Sequence, residues 1–338
     1  MLKNKILLLF SNHRVAEKLW PIIPELSKEY TLDLFLVGLH SFNTPWVGDI
    51  DERETKVNQY KPYLNKVIVG PGIKYHGDNI NEVLESYINL DEYFLVLFDD
   101  NREMSEYNIP QFYQSCKSKN IKVIGNSHGN EDNSYNAVGK SYDNKMDFTT
   151  GGIPANDTLK DIKCNQKHIL IIANFLGNRS SVYPINLDNN FIQECGALEL
   201  SKEYNLPIKI KIKTRLDNPD YTSSIKYVKD IIDCEIITNI DNIDQLIADS
   251  AIIISAPSTL AFKPIQLGIP TVLIKGSGAI GAFYDYPGLV KLNKQEIFDN
   301  LQMQINHGKF NKFIEKTIVG GVDFNSSKVY IKNLKKLI

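Results

Sequence analysis

Ala251-Ile252-Ile253-Ile254-Ser255-Ala256-Pro257-Ser258-Thr259-Leu260 runs from an apolar strand into a turn and then the start of a helix. No polar residue alternates among Ala251 to Ile254, so the strand is read as buried on both faces, which happens in parallel sheets covered by helices. The same signature recurs along the chain. In the first half it marks strands at Lys5 to Phe10, Leu32 to Val37, Lys66 to Val69, Tyr93 to Phe98 and Lys122 to Ile124. In the second half it marks His168 to Ala173, Ile208 to Ile212, Glu235 to Thr238, Ala251 to Ile254 and Thr271 to Ile274.

Helical periods fill the gaps. Over residues 15–29, Ala16, Leu19, Trp20, Ile23 and Leu26 recur at three and four, while Lys18, Glu25 and Lys28 face outward. Segments 189–204, 223–232 and 243–250 have the length of right-handed crossovers. Between the two series lies a polar stretch, Gly125 to Lys145, rich in Asn, Ser, Asp and Gly. The expected fold class is therefore α/β, with two Rossmann-like, doubly wound parallel-sheet domains facing a cleft. The first domain is placed at residues 1–160 and the second at 161–325, with a helix over 326–338 placed to fold back onto the first.

Composition removes several function classes. With 43% hydrophobic and 23% charged residues over 338 positions, the chain is neither disordered nor a small disulfide-stapled module. Lys plus Arg at 38 against Asp plus Glu at 40 leaves a formal charge of −2, which offers no field for nucleic acid or an anionic membrane. Apolar runs fall short of the roughly 18 residues that span a bilayer. The run after Met1-Leu2-Lys3-Asn4-Lys5 ends at Ser11-Asn12-His13-Arg14 without a small-residue cleavage site, so it reads as the first strand of a cytoplasmic protein. Cys116, Cys164, Cys195 and Cys234 lack any CxxC spacing and fit reduced thiols; no metal-ligand spacing is present.

Doubly wound sheets bind ligands beyond the carboxyl ends of their strands, so the loops there carry the candidate chemistry. Gly125-Asn126-Ser127-His128-Gly129-Asn130 follows the strand at Val123-Ile124. An imidazole beside glycine permits close approach of a substrate and suits general-base work, the alternative being a turn-capping histidine. Gly129, Asn130 and His13 complete the loop set of this side. Ser258 and Thr259 open a helix, where free N–H groups favour phosphate, although such pairs also serve as caps. Gly177 and Arg179, in Asn174-Phe175-Leu176-Gly177-Asn178-Arg179-Ser180-Ser181, follow the strand 168–173 and could cradle and pair with phosphate. Lys211, Lys213 and Arg215 form a basic row at the end of strand 208–212. Gly276-Ser277-Gly278-Ala279-Ile280-Gly281 matches GxGxxG but opens no helix and lies outside a first βαβ unit, so it is read as a loop closing on a donor and not as an NAD site. Asp99-Asp100 is a candidate carboxylate base or a structural cap.

The order of His128-Gly129, Gly152-Ile153-Pro154-Ala155-Asn156-Asp157-Thr158-Leu159 and Ser258-Thr259 with Gly268-Ile269-Pro270 resembles the CDP-glycerol glycerophosphotransferases and related capsule and surface-polysaccharide transferases, which have the GT-B fold. The resemblance implies a metal-independent transferase without cofactor, moving a glycosyl or polyol-phosphate group from a nucleotide-activated donor to a carbohydrate acceptor. It also implies His128 as the base and Ser258 and Thr259 as donor-phosphate ligands, with Arg179, Lys213 and Arg215 beside them. Surface polysaccharide assembly would be the setting, with at most peripheral membrane contact. Three departures stand out: Asn130-Glu131 follows His128-Gly129, Arg215-Leu216-Asp217-Asn218-Pro219 replaces a His-Pro pair, and Lys263 stands where the family has an acidic residue. Lys263 thus suggests a different donor, such as a CMP-linked acidic sugar whose carboxylate it would meet. Two rivals share the architecture: the hydrolysing sugar-nucleotide 2-epimerases, which need no acceptor, and a nucleotide-sugar-binding component without turnover.

Overall fold

A computed structural model describes residues 4–10, 16, 19–38, 49–72, 86–99, 110–127, 142–173, 189–212, 228–230, 232–238, 242–275, 285–307 and 310–338. The chain divides into two compact units, one formed by Met1–Asp157 with Thr317–Ile338 and the other by Thr158–Lys316.

The first unit holds β1 (Lys5–Phe10), β2 (Thr31–Gly38), β3 (Lys66–Gly72), β4 (Leu95–Phe98), β5 (Lys122–Asn126) and β6 (Asn144–Met146). These form one six-stranded sheet in the order β3-β2-β1-β4-β5-β6, parallel throughout. The second unit holds β7 (His168–Ala173), β8 (Ile208–Ile212), β9 (Cys234–Ile237), β10 (Ser250–Ser255), β11 (Thr271–Ile274) and β12 (Leu289–Val290). Its order is β12-β11-β10-β7-β8-β9, again parallel. Both sheets therefore have the doubly wound strand order of a Rossmann-like fold, with the direction of winding reversing between β1 and β4 and between β7 and β10. The most apolar of the expected strands are interior ones, with β4 and β7 buried at every position, whereas the expected strands at 66–69 and 235–238 are the edge strands β3 and β9.

Two expected helices are interrupted within their periodic pattern. In the segment 15–29, Ala16, Leu19, Trp20, Ile23 and Leu26 are buried as the pattern requires. Ala16 is helical, and a 3-10 turn at Trp20–Ile22 leads into a helix at Ile23–Leu26. Pro21 and Pro24 each remove a backbone donor, so a continuous ladder cannot form. The helix expected over 189–204 is two, Asn189–Glu194 and Ala197–Tyr204. Gly196 separates them at φ 66°, and a Cβ there would come within 2.6 Å of the Phe298 ring.

The helix Ser326–Leu337 belongs to the first unit. Tyr330, Ile331 and Leu334 pack into the core formed by Ile6, Leu8, Trp20 and Leu97. Its start is held by the Asp157 carboxylate, which accepts from the backbone N–H of Ser326 at 2.8 Å and of Ser327 at 2.7 Å. A carboxylate there meets both the free N–H groups and the positive end of the helix dipole. Gly152, at φ 66°, lets the chain pass beneath; a Cβ would collide with the Val319 carbonyl oxygen and the Ser326 side chain. At the far end Lys122 Nζ donates to the carbonyl oxygens of Leu337 and Ile338, at 2.7 and 2.8 Å.

Polar groups at the amino edges of the sheets are satisfied internally. Asp33 is fully buried and receives Lys5 Nζ at 2.9 Å, Asn65 Nδ2 at 2.7 Å and the Tyr93 hydroxyl at 2.7 Å. Burial alone would raise its pKa, but the bonds from Asn65, Lys5 and Tyr93 outweigh it and hold the carboxyl below the usual range. In the second unit, buried His168 lies 3.1 Å from the Ser250 hydroxyl. Burial, helped by nearby Lys209, lowers its pKa from 6.5 to about 4.

The fold therefore prefers neutral His168, and its contribution is complete above pH 6.5 and lost as the pH falls toward 4. Denaturant unfolding of the second unit should show about 2 kcal/mol less stability at pH 4.5 than at pH 7 from this group, a slope that His168→Gln should flatten. Equal slopes in both proteins would refute the assignment.

Candidate functional site

In the second unit the winding reverses between β7 and β10, where Ile172 faces Ser255 in register. Ala256 N–H continues the pairing to the Ile172 carbonyl at 3.3 Å, and Ser255 is fully buried with its hydroxyl donating to the Ala256 carbonyl at 2.7 Å. Ser258, extended at φ −150°, caps the following 3-10 turn Thr259–Ala261 by accepting from Leu260 N–H at 3.3 Å. The turn runs into the helix Phe262–Leu267, which stops at Gly268. Ser258 and Thr259 thus lie just beyond the carboxyl end of β10, with the Ser258 hydroxyl already engaged as an acceptor and Thr259 exposed.

Ala173 and Ile212, the last residues of β7 and β8, are partners in register. The chain segments bearing Gly177 and Arg179 and those bearing Lys213 and Arg215 therefore leave from neighbouring strands. These four residues, with Gly276 and Gly278, lie outside the described residues. Lys211, from the same basic row, is described: Nζ donates to the Ile212 carbonyl at 2.6 Å and reaches the Thr238 carbonyl at 3.5 Å.

Lys263 Nζ is bonded to Asp244 Oδ1 in the first turn of the helix Ile243–Ala248. Both side chains are mostly shielded, at 17% and 25% exposure, so each charge is the other's compensation.

In the first unit, the carboxyl edge is tied together by one line of hydrogen bonds. Asp99 N–H donates to the Leu9 carbonyl at 3.3 Å, joining β4 to β1. Asn126 Nδ2 donates to the Phe98 carbonyl, joining β5 to β4. The Tyr330 hydroxyl donates to Asn126 Oδ1 at 2.8 Å, and Ser127 N–H donates to the Met146 carbonyl at 3.0 Å, joining the C-terminal helix and β6. Burial pushes the Tyr330 phenol well above its ordinary value, so it stays a donor. Asp99 is completely buried, the environment of a structural carboxylate more than of one meeting substrate. Asp100, His128, Gly129, Asn130 and His13 lie outside the described residues. Sequence reasoning stopped at His128 and passed over Asn126, two residues earlier, although a buried amide at a strand end was readable from the same motif. The Gly152–Leu159 segment proves to dock the C-terminal helix through Asp157.

No family model matches the chain, and no curated protein matches it. Among solved structures, UDP-GlcNAc 2-epimerase from Neisseria meningitidis bound to UDP-GlcNAc is similar at a TM-score of 0.60 and 16% identity, covering 98% of this chain and 100% of that one. The Methanocaldococcus jannaschii UDP-GlcNAc 2-epimerase gives 0.63 at 13% identity, covering 98% and 99%. A UDP complex of MnaA from S. aureus gives 0.63 at 14% identity, covering 99% and 96%. At such identities the likeness establishes the fold, which is GT-B-like. It does not reach the glycerophosphotransferases that the motif order resembles. No described helix is long and apolar enough to cross a membrane.

Removing either partner of the Lys263–Asp244 pair should cost about 1–3 kcal/mol, with the double variant Lys263→Ala/Asp244→Ala losing less than the sum. With its charge met by Asp244, Lys263 is expected to leave affinity for CMP-linked acidic sugars unchanged in Lys263→Ala; a selective loss of that affinity would support the donor role.

Proposed function

We propose that this chain acts on a nucleotide-activated sugar and changes that sugar without a second carbohydrate as acceptor, in the manner of a sugar-nucleotide 2-epimerase. The supporting observation is the likeness to 2-epimerase structures over essentially the full length of both chains, 98% of this one and 100% of the Neisseria meningitidis protein. A uridine nucleotide is the donor we infer, because the N. meningitidis and S. aureus structures carry UDP-GlcNAc and UDP.

In this reading the carboxyl edge of the second sheet receives the nucleotide. Its phosphates meet the N–H groups at Ser258 and Thr259 and the cations of Arg179, Lys213 and Arg215, which stabilise the charge that grows on the departing diphosphate. Gly177 admits the backbone close to those oxygens. His128, which follows β5 of the first unit in sequence, is assigned the proton transfer at the sugar's ring or hydroxyl group. Asn130, Gly129 and His13 are assigned to the sugar with it.

The deciding experiment is UDP-GlcNAc with the enzyme alone, followed by proton NMR. Expected products are a C2-epimeric sugar or free sugar with UDP, without added acceptor. Turnover only after a carbohydrate acceptor is supplied would replace this reading by a transferase, and tight UDP-GlcNAc binding without turnover under either condition would replace it by a binding component. His128→Ala should lose turnover by about a hundredfold or more while UDP affinity persists. Near-normal turnover in that variant would remove His128 from the mechanism.

A further inference from the structure

We propose that Tyr330 and Asn126 are positioning residues for the reaction: the Tyr330 hydroxyl locks the Asn126 amide, which holds the carboxyl ends of β4 and β5 in the register from which the chain runs into His128. The inference rests on the reading above, in which His128 acts on the sugar.

The argument begins with a gap in the sheet. The β4–β5 pairing ends at Leu97 and Ile124, while β5 continues two residues further along β6 as far as Asn126 and Met146. Beyond Ile124, main-chain pairing no longer fixes β5 against β4. The Asn126 side chain takes over that task by donating to the Phe98 carbonyl. Asn126 is 4% exposed, so the carbonyl end of its amide also needs a partner within the protein. Tyr330, 2% exposed, supplies it. With both ends engaged the amide has one orientation, and Ser127, bonded to Met146, leads directly into His128.

Tyr330 is itself firmly mounted. Its helix is anchored independently at Asp157 and through Asn333 Nδ2, which donates to the Thr150 carbonyl at 2.7 Å. Its ring lies in the apolar core of the first unit. Replacing the tyrosine by phenylalanine therefore deletes one hydroxyl and leaves the ring and the helix in place. The Asn126 carbonyl end then loses its partner in a buried site, and the amide must turn to find another, releasing Phe98. A residue held through such a chain affects catalysis by geometry, and a displacement on the ångström scale is enough to slow a reaction strongly.

The test compares Tyr330→Phe, Asn126→Asp and Asn333→Ala in the full chain, by amide hydrogen exchange over residues 122–127 and by steady-state turnover of UDP-GlcNAc. Tyr330→Phe should exchange about tenfold faster there and lose about tenfold or more in kcat, with KM and UDP affinity unchanged. Asn126→Asp, which can accept from Tyr330 but as a carboxylate cannot donate to Phe98, should behave alike. Asn333→Ala, which removes one exposed bond of the same helix while the Asp157 seat and the Tyr330–Asn126 bond stay in place, should leave both readouts at wild-type level. Wild-type exchange in Tyr330→Phe overturns the proposal, as does faster exchange with unchanged kcat, or an equal loss of kcat in Asn333→Ala. Absence of wild-type turnover would sink the 2-epimerase reading instead, and exchange over 122–127 would still decide whether Tyr330 holds the strand ends.

Discussion

A parallel strand that stops leaves its last carbonyl without a ladder partner, and in a buried sheet that oxygen must be satisfied by something other than water. In this chain the problem is sharpest at the carboxyl edge of the first sheet, because the strands end at different heights exactly where a doubly wound sheet meets its ligand. Asn126 resolves it with a single side chain: its amide nitrogen serves β4, its amide oxygen is served by the C-terminal helix, and its backbone belongs to β5. The architecture of the first unit depends on this junction, since it fastens residues near positions 98, 126 and 330 into one body.

The C-terminal helix explains why the junction is reliable. The chain enters it from the second unit at Thr317, yet the helix is built into the core of the first. Gly152 and Asp157, at the point where the chain leaves the first unit, form the seat for the helix start. Outgoing and returning segments are therefore locked to one another by two backbone N–H bonds to one carboxylate. That seat removes the freedom of a terminal helix to fray, and so Tyr330 presents its hydroxyl from a fixed frame.

Much of this was legible in the sequence, and the parts that were not share a physical cause. Central strands such as Ile252-Ile253-Ile254 announce themselves because burial on both faces demands uninterrupted apolar residues. The edge strands β6, Asn144–Met146, and β12, Leu289–Val290, have three and two residues and carry no period to detect. The segment expected as one helix over 15–29 keeps its buried face, but a 3-10 turn at Trp20–Ile22 interrupts its ladder, where Pro21 and Pro24 override side-chain periodicity. Tyr330 and Asn126 stand 204 positions apart, and the Lys263–Asp244 pair joins two helices. Pairings of that kind are fixed by topology alone, so no local pattern announces them. The carboxyl ends of β7, β8 and β10 follow the same rule in reverse: the order β10-β7-β8 brings Ser255, Ala173 and Ile212 to neighbouring strand ends although the sequence spreads them over dozens of residues.

The two edges of each sheet have been put to different uses. At the amino edges, charge is consumed internally: Asp33 takes three donors, Lys167 meets Asp249 at 2.9 Å, and His168 is kept neutral against Ser250. Such groups tie strand starts together and leave little field for a ligand. At the carboxyl edges the fastening is done chiefly by uncharged groups, the Asn126 amide, the Tyr330 phenol and the Ser255 and Ser258 hydroxyls, with Lys211 spent on carbonyl oxygens. Amide and hydroxyl groups do not change charge in the neutral range, so these contacts hold while the amino edges titrate.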